Sequence, residues 1–392
     1  KVGFVNNGIM ALFEGAKYTI DGNDIESVNN GIDIATTILG LARYSDDYTR
    51  SAGPTMMFAK DTTDHPDSRN QLFRRPKNRA NPAVDSDAIE DLYFPNPEFN
   101  LGQAIRNGML KGDRRHFSCA IPLAHIFGFC RNVRKVIYGA KHTVVLQRRS
   151  DDNAAIWRTP ADPANPANDN AKVVLSKLIL WMPVLTPSLA VNQRLLTWME
   201  TGASSLISWL NTTTDTFESR QTEFTWNLPG KRGISAPRHI FIALQRTNRT
   251  SGAGQQTQSH MIFDTLNVTE VSLRINGQQE PAEPIKLRFT DDNNSVARVY
   301  HKQWSFMGRD QNVDTGLQIS QHDFQTLYPI YYFSLEHLDL TKESVVDITF
   351  NALVGEPGGG NRAFALILND KSMLIEGIGG QMRLIDAPVE NL

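Results

Sequence analysis

The chain has 392 residues, 40 Lys plus Arg against 42 Asp plus Glu, a formal net charge of −2 and 40% hydrophobic residues. At about 150 residues per domain this length makes two domains, each able to bury its own core. So even a balance excludes a protein that coats nucleic acid through charge alone, and no specific nucleic-acid binding is expected.

The two cysteines, Cys119 and Cys130, are too few for a disulfide-stapled secreted scaffold and read as reduced, buried thiols. Asn-x-Ser/Thr triplets begin at Asn211, Asn248, Asn267 and Asn293, but in an Asn- and Thr-rich chain they do not establish secretion. Lys1 is not an initiator Met, so an upstream segment is expected to have been removed or left out. Asn6, Asn7 and Glu14 interrupt any signal-peptide run. The most apolar stretch, 173–191, is broken by Lys177, Pro183 and Pro187 and does not read as a membrane span.

In chain order the local signals are mostly those of strands. Ala16-Lys17-Tyr18-Thr19-Ile20 alternates and runs into Asp21-Gly22, a pair that accepts the positive φ angles of a tight hairpin. Residues 31–44 predict a helix with Ile34, Ile38 and Leu41 on one face. Residues 61–81 are charged and polar, and residues 133–147 predict a strand. The prolines of 159–171 forbid a central strand, and 172–182 predicts another strand. Residues 189–210 predict one or two helices burying Leu195, Trp198, Met199 and Ile207, weakened as a single helix by Gly202 and Ser204-Ser205. Residues 239–245 predict a strand and 249–260 a polar loop. Val271-Ser272-Leu273-Arg274-Ile275 then alternates into Asn276-Gly277. Strands are predicted over 285–289, 296–306, 328–335, 345–354 and 363–368, with a Gly-rich tip at 355–361. Many short strands with long loops suit a sandwich or jelly roll better than a βαβ fold.

The two strand–turn units echo each other, each ending in Ile, then Asp or Asn, then Gly, at Gly22 and Gly277. An alternating strand before such a turn is common, so the echo matters because it predicts two copies of one fold in one chain.

Enzyme constellations are not legible. None of the nine histidines forms a His-x-His pair. A zinc site of His116, His125 and Cys119 lacks the usual Cys-x-x-Cys spacing. There is no G-x-S-x-G elbow, and Leu228-Pro229-Gly230-Lys231 reads as a turn. With 42 acidic residues, a carboxylate pair for glycoside hydrolysis cannot be picked out by sequence. No catalytic, cofactor-binding or metal residue is assigned. The basic run Arg74-Arg75-Pro76-Lys77-Asn78-Arg79 could touch nucleic acid, but reads better as a solvated or subunit-bridging loop. Arg131, Arg134 and Lys135 read as a strand edge or loop face, and Gly358-Gly359-Gly360 as a hairpin tip.

Three blocks, in order, carry a resemblance. The first is Asn6-Asn7, then Leu12-Phe13-Glu14 and the strand ending at Gly22, followed by Ile38-Leu39-Gly40-Leu41-Ala42-Arg43-Tyr44. The second is Ile121-Pro122-Leu123 with Phe127 and Arg131-Asn132. The third starts at Pro237-Arg238-His239, continues through Phe263-Asp264 to Gly277 and ends in Glu280-Pro281. Together they resemble the double jelly-roll major capsid proteins of polinton-like viruses and adintoviruses and, more distantly, of virophages and nucleocytoplasmic large DNA viruses. In that family the second block is a strand pair closing part of the first roll. Further strands usually precede the Asn-Asn unit there, and the present sequence lacks them.

The resemblance implies an all-β fold of two tandem jelly-roll β-sandwiches, with a few short helices in the inter-strand loops. The first roll is expected over 1–218 and the second over 219–392. It implies no enzyme activity and no cofactor. The expected role is that of a shell subunit that forms a homotrimer, a pseudo-hexameric capsomer tiling an icosahedral virion. A penton protein at the vertices and minor or cement proteins are the expected partners, and the chain does not tell whether a membrane underlies the shell. The competing reading is a tandem β-sandwich that binds carbohydrate or acts on it.

Overall fold

A computed structural model of the chain describes residues 2–62, 100–112, 115–158, 171–228, 234–247, 259–289, 296–306, 318–338, 340, 343–352, 360–378 and 381–387. The basic run at 74–79 and the Gly-rich triplet's first two residues lie outside the described residues, as do nearly all of the polar loops expected at 61–81, 159–171 and 249–260.

The first half starts with β1 (Val2–Phe4), β2 (Phe13–Ile20) and β3 (Asn23–Val28). Asp21 and Gly22, at φ 48° and 83°, make the turn between β2 and β3. Both residues therefore sit in the region that a twisted two-residue hairpin requires. Next come α1 (Ile32–Arg43) and α2 (Asp46–Ser51), which match the expected helix and add a turn capped by the Ser45 hydroxyl. Then follow α3 (Leu101–Gly108), α4 (Leu123–Ile126), α5 (Gly128–Asn132), β4 (His142–Arg148) and β5 (Ile156–Arg158). The strands form a three-stranded sheet, β3-β2-β4, and a two-stranded one, β1-β5.

Two expectations fail here. Residues 121–132 are two short helices rather than a strand pair, with Pro122 capping the first. The strand expected over 133–147 begins only at His142, because its partner β2 ends at Ile20, opposite His142, and offers no ladder beyond.

The rest of the chain holds α6 (Leu189–Glu200), β6 (Ser204–Ser219), β7 (Glu223–Leu228), β8 (Ile234–Ser235), β9 (Pro237–Arg246), β10 (Val268–Ile275) and β11 (Gln278–Lys286). It continues with α7 (Ala297–Phe306), α8 (Gln321–Thr326), β12 (Ile330–Ser334), β13 (Glu343–Ser344), β14 (Val346–Ala352), β15 (Asn361–Ile378) and β16 (Gln381–Ala387). Two antiparallel sheets result, β11-β10-β14-β7 and β12-β9-β15-β16, with β6 added to the second along β15, and β8 pairs separately with β13. Aromatic rings fill the space between the two large sheets. Tyr331 of β12 meets Phe350 of β14 at 5.5 Å, and Phe217 of β6 stacks on Trp226 of β7 at 5.9 Å.

Three more expectations are corrected in this half. The stretch 296–306 is helical from Ala297: Val296, Val299 and Gln303 are the buried positions, a helical spacing that its Val, Tyr and Phe content masked. Only the first part of 189–210 is helix. Gly202, at φ 69°, follows its end, and β6 starts at Ser204. Met199 and Ile207 are buried as expected, whereas Leu195 and Trp198 are half-buried. Residues 172–182 form no strand, and among the described residues no neighbouring strand pairs with them.

β6 lies on the N-terminal side of the expected division at 218, yet it pairs with β15 along its whole length, from Ser204 opposite Glu376 to Ser219 opposite Asn361. Its N-terminal part also rests on the first half: an ideal Cβ on Gly128 would meet the Leu210 carbonyl oxygen at 1.8 Å.

Candidate assembly site: the buried joints

Buried polar groups join the elements at three places. The first centres on Asn7, whose left-handed φ of 56° suits Asn better than most side chains. Its Nδ2 donates to Thr36 Oγ1 at 2.8 Å, Thr37 Oγ1 at 3.0 Å and the Asp33 carbonyl at 3.3 Å. His125 Nε2 lies 3.2 Å from Asn7 Oδ1, and its Nδ1 lies 2.8 Å from the Tyr44 hydroxyl. With Nε2 donating to the amide oxygen, Nδ1 accepts from Tyr44, which is the neutral ring. Burial, and then the Arg131 charge, push the His125 pKa down to about 3. Thr37 Oγ1 continues the chain of contacts to Met261 Sδ at 3.4 Å.

The second joint is Glu26, buried on β3. Its carboxylate accepts from the backbone N–H of Phe129 at 2.9 Å and of Thr212 at 3.1 Å. One side chain thereby holds β3, α5 and β6 together. Burial raises its pKa, and the backbone donors oppose that rise. Nearby, Lys371 Nζ donates to the Ile25 carbonyl at 2.7 Å and Thr214 Oγ1 to the Asn30 carbonyl at 2.6 Å.

The third joint is ionic. Asp61 is paired with Arg106, whose Nε also donates to the Phe4 carbonyl at 2.9 Å. Asp61 further accepts from Asn100 Nδ2 at 2.9 Å and Ser259 Oγ at 3.0 Å, and its backbone N–H donates to the Tyr328 hydroxyl at 2.7 Å. Lys60 pairs with Asp323, the N3 residue of a capping box on α8. A buried carboxylate is tolerable here because donors surround it.

The residues singled out by sequence do not converge on one cleft. Asn7 forms the first joint, while its neighbour Asn6 is buried with neither side-chain polar atom partnered among the described residues. Phe13 and Phe127 are core residues, and Phe127 lies 5.5 Å from the Tyr18 ring. Ile121 and Leu123 are half-buried beside the exposed Pro122. Arg131 Nε donates to the Ala124 carbonyl at 3.0 Å, while both terminal nitrogens are buried without an acceptor among the described residues. Burial and the nearby Arg43 lower the Arg131 pKa to about 10. Asn132 Oδ1 accepts from the Leu210 N–H at 3.5 Å. Pro237 opens β9, and Phe263 is buried 6.5 Å from the Tyr328 ring. Asp264 Oδ2 accepts from the Arg246 N–H at 2.9 Å. Gly22 and Gly277 share a φ of 83° after Asp21 and Asn276 at 48° and 51°, so the two turns have matching geometry. Pro281 lies within β11.

Cys119 and Cys130 are unbonded and half-buried, and burial raises both pKa values, that of Cys130 to about 12. His125, weighed in the sequence as a zinc ligand, is a core residue with both ring nitrogens engaged. The sequence did not reveal Glu26, Asp61, Arg106 or Asp323. The one local signal was a carboxylate or guanidinium inside an otherwise apolar pattern, as in Ile25-Glu26-Ser27-Val28.

A family model described as a double jelly roll-like domain matches residues 98–372. Among solved structures, the chain is similar to the Faustovirus major capsid protein at 9% identity and a TM-score of 0.51, over 98% of this chain and 73% of that one. It is also similar to the mavirus major capsid protein, at 8% identity and a TM-score of 0.47 over 100% of this chain and 80% of that one. The Sputnik virophage structure follows at 10% identity and 0.45, over 100% and 77%. At such identities the likeness to the Faustovirus protein is one of fold alone. No curated protein matches.

Proposed function

This chain belongs to the double jelly roll-like domain family, and from that premise we propose that it is the major capsid protein of an icosahedral DNA virus. The observation that carries this reading is the fold likeness to a viral major capsid protein over 98% of the chain. The reading is structural: the chain serves as a building block and not as an enzyme.

The physical logic supports that role. Three chains around a threefold axis present six similar columns, a nearly hexagonal tile. Such a tile must be rigid, and the joints at Asn7 and Asp61 tie the two halves of the chain to each other through Thr37 with Met261 and Asp61 with Ser259, while Glu26 holds β6 against β3. We keep the division into rolls near residue 218 as part of the proposal, with β6 bridging it. Hexagonal tiles cannot close a shell alone, so a separate penton protein fills the vertices and minor or cement proteins secure the facets. The protein then resides in the virion shell after assembly inside the host cell.

Size-exclusion chromatography with light scattering tests the self-association. A species near three times the 43.9 kDa chain mass is expected. A chain that stays at 43.9 kDa across salt and pH would overturn the proposal.

A further inference from the structure

Twelve of the sixteen large apolar side chains exposed among the described residues fall between Val174 and Leu196; the other four are Val136, Val145, Val345 and Ile385. Every residue from Val174 to Thr186 is exposed. A strand lying on its own protein would show alternate residues buried. Here Val174, Trp181 and Val184 are 85%, 83% and 86% exposed, so the segment stands clear of the body on both faces. Its ends are held. Val173 N–H donates to Asp152 Oδ2 at 2.7 Å, and beyond it Tyr138 donates to Asn192 Oδ1 of α6 at 3.3 Å. An apolar patch this large marks a contact surface.

Its composition, rich in Val, Leu and Ile, is that of a strand, and what it lacks is a neighbour. The same half of the chain displays the complementary lack. Among the described residues β4 is hydrogen-bonded only to β2, which leaves its other edge without a strand, and Val145 on it is exposed. An unpaired strand edge is a template for strand addition. Among the described residues the chain thus carries both a strand-like segment without a sheet and a sheet edge without a strand, and the two are not paired with each other. The occupant that satisfies both at once is another copy of the same chain. Ten of the twelve exposed side chains lie within residues 173–189, and covered at ~100 Å² each they would bury on the order of 1,000 Å² per copy, above the roughly 800 Å² per partner of a specific interface. Head-to-tail donation of this kind closes into a ring when the rotation permits.

We propose that residues 173–189 are an arm that adds as a strand to the free edge of β4 in a second copy of the chain. This rests on the reading of the protein as a self-assembling shell subunit and names the element that performs the assembly.

The test compares the parent chain with the double variant Leu178→Glu and Trp181→Glu by light scattering, with circular dichroism and thermal melting as the fold control. Both side chains are exposed, so the variant is expected to keep the parent's spectrum and melting temperature while losing association at least tenfold. A second measurement co-expresses a chain carrying Ile179→Cys with a differently tagged chain carrying Val145→Cys. Mild oxidation is expected to link the two tags, and the parent chains should give no such band. If the parent assembles and the double variant assembles equally well, or no inter-tag link forms, the arm is not the contact and the capsid reading still stands. If the parent itself never leaves 43.9 kDa, the capsid reading falls and takes this inference with it.

Discussion

Asn7 donates to two hydroxyls and a carbonyl and accepts from an imidazole, all in the protein interior. Replacing it with Ala leaves those groups unsatisfied and places a Cβ-only side chain at a left-handed φ that Asn tolerates better. Asn7→Ala is expected to cost about 2–4 kcal/mol, read as a lower urea midpoint at unchanged slope. His125 and Glu26 set opposing pH dependences. The folded pKa of His125, about 3, lies below its ordinary 6.5, so between these values the unfolded chain binds more protons. Its contribution is therefore complete above about pH 6.5 and fades as pH falls toward 3. Glu26 has a folded pKa above its ordinary 4.5, so its contribution is complete below 4.5 and is lost as pH rises through the raised value. Urea midpoints at pH 7 and pH 5 should show the acid loss of His125 largely removed in His125→Gln, whereas the parent's slope would be retained if the ring did not titrate in this way.

At the scale of elements, the contact between α5 and β6 leaves no room for a side chain. Glu26 clamps the N–H of Phe129 and of Thr212, so neither backbone can retreat when Gly128 gains a Cβ against the Leu210 carbonyl. Gly128→Ala is expected to destabilise the chain by about 2–3 kcal/mol, seen as a lower melting temperature. Elements were legible in the sequence where they were local. The Asp21-Gly22 and Asn276-Gly277 turns, the helix α1 and the strand β10 follow from periodicity and turn chemistry, and the strands β9, β12 and β14 from their Val, Ile, Tyr and Phe content between turn residues. Composition misled where it stood in for periodicity. Val, Tyr and Phe in α7 suggested a strand, although the buried positions repeat at helical spacing. The segment 172–182 has the composition of a strand, but a strand exists only with a neighbour, and among the described residues none pairs with it. Similarly, the family resemblance implies a strand pair over residues 121–132, which instead fold as two short helices around the buried His125.

Over the whole molecule, the joints were illegible because their members are far apart in sequence. Lys60 and Asp323 are 263 residues apart, and Asp61 draws partners from Asn100, Arg106 and Ser259. No local window contains such a set. Breaking it should therefore affect both halves together. Arg106→Met leaves Asp61 buried without its cation and is expected to cost about 3–5 kcal/mol. Chemical denaturation of two single-tryptophan variants, one keeping only Trp157 and the other only Trp226 of the six tryptophans, should show one shared transition that moves as a unit. Two separated transitions in the parent would mean that the joints do not couple the halves.

On the function proposed above, this chain is a shell subunit whose double jelly roll makes a pseudo-hexameric tile. Electron cryo-microscopy of the purified protein tests it most directly. The account predicts threefold-symmetric particles with six columns in projection, two from each chain. Particles of a single chain with no threefold axis, at every concentration and salt condition tried, would contradict it.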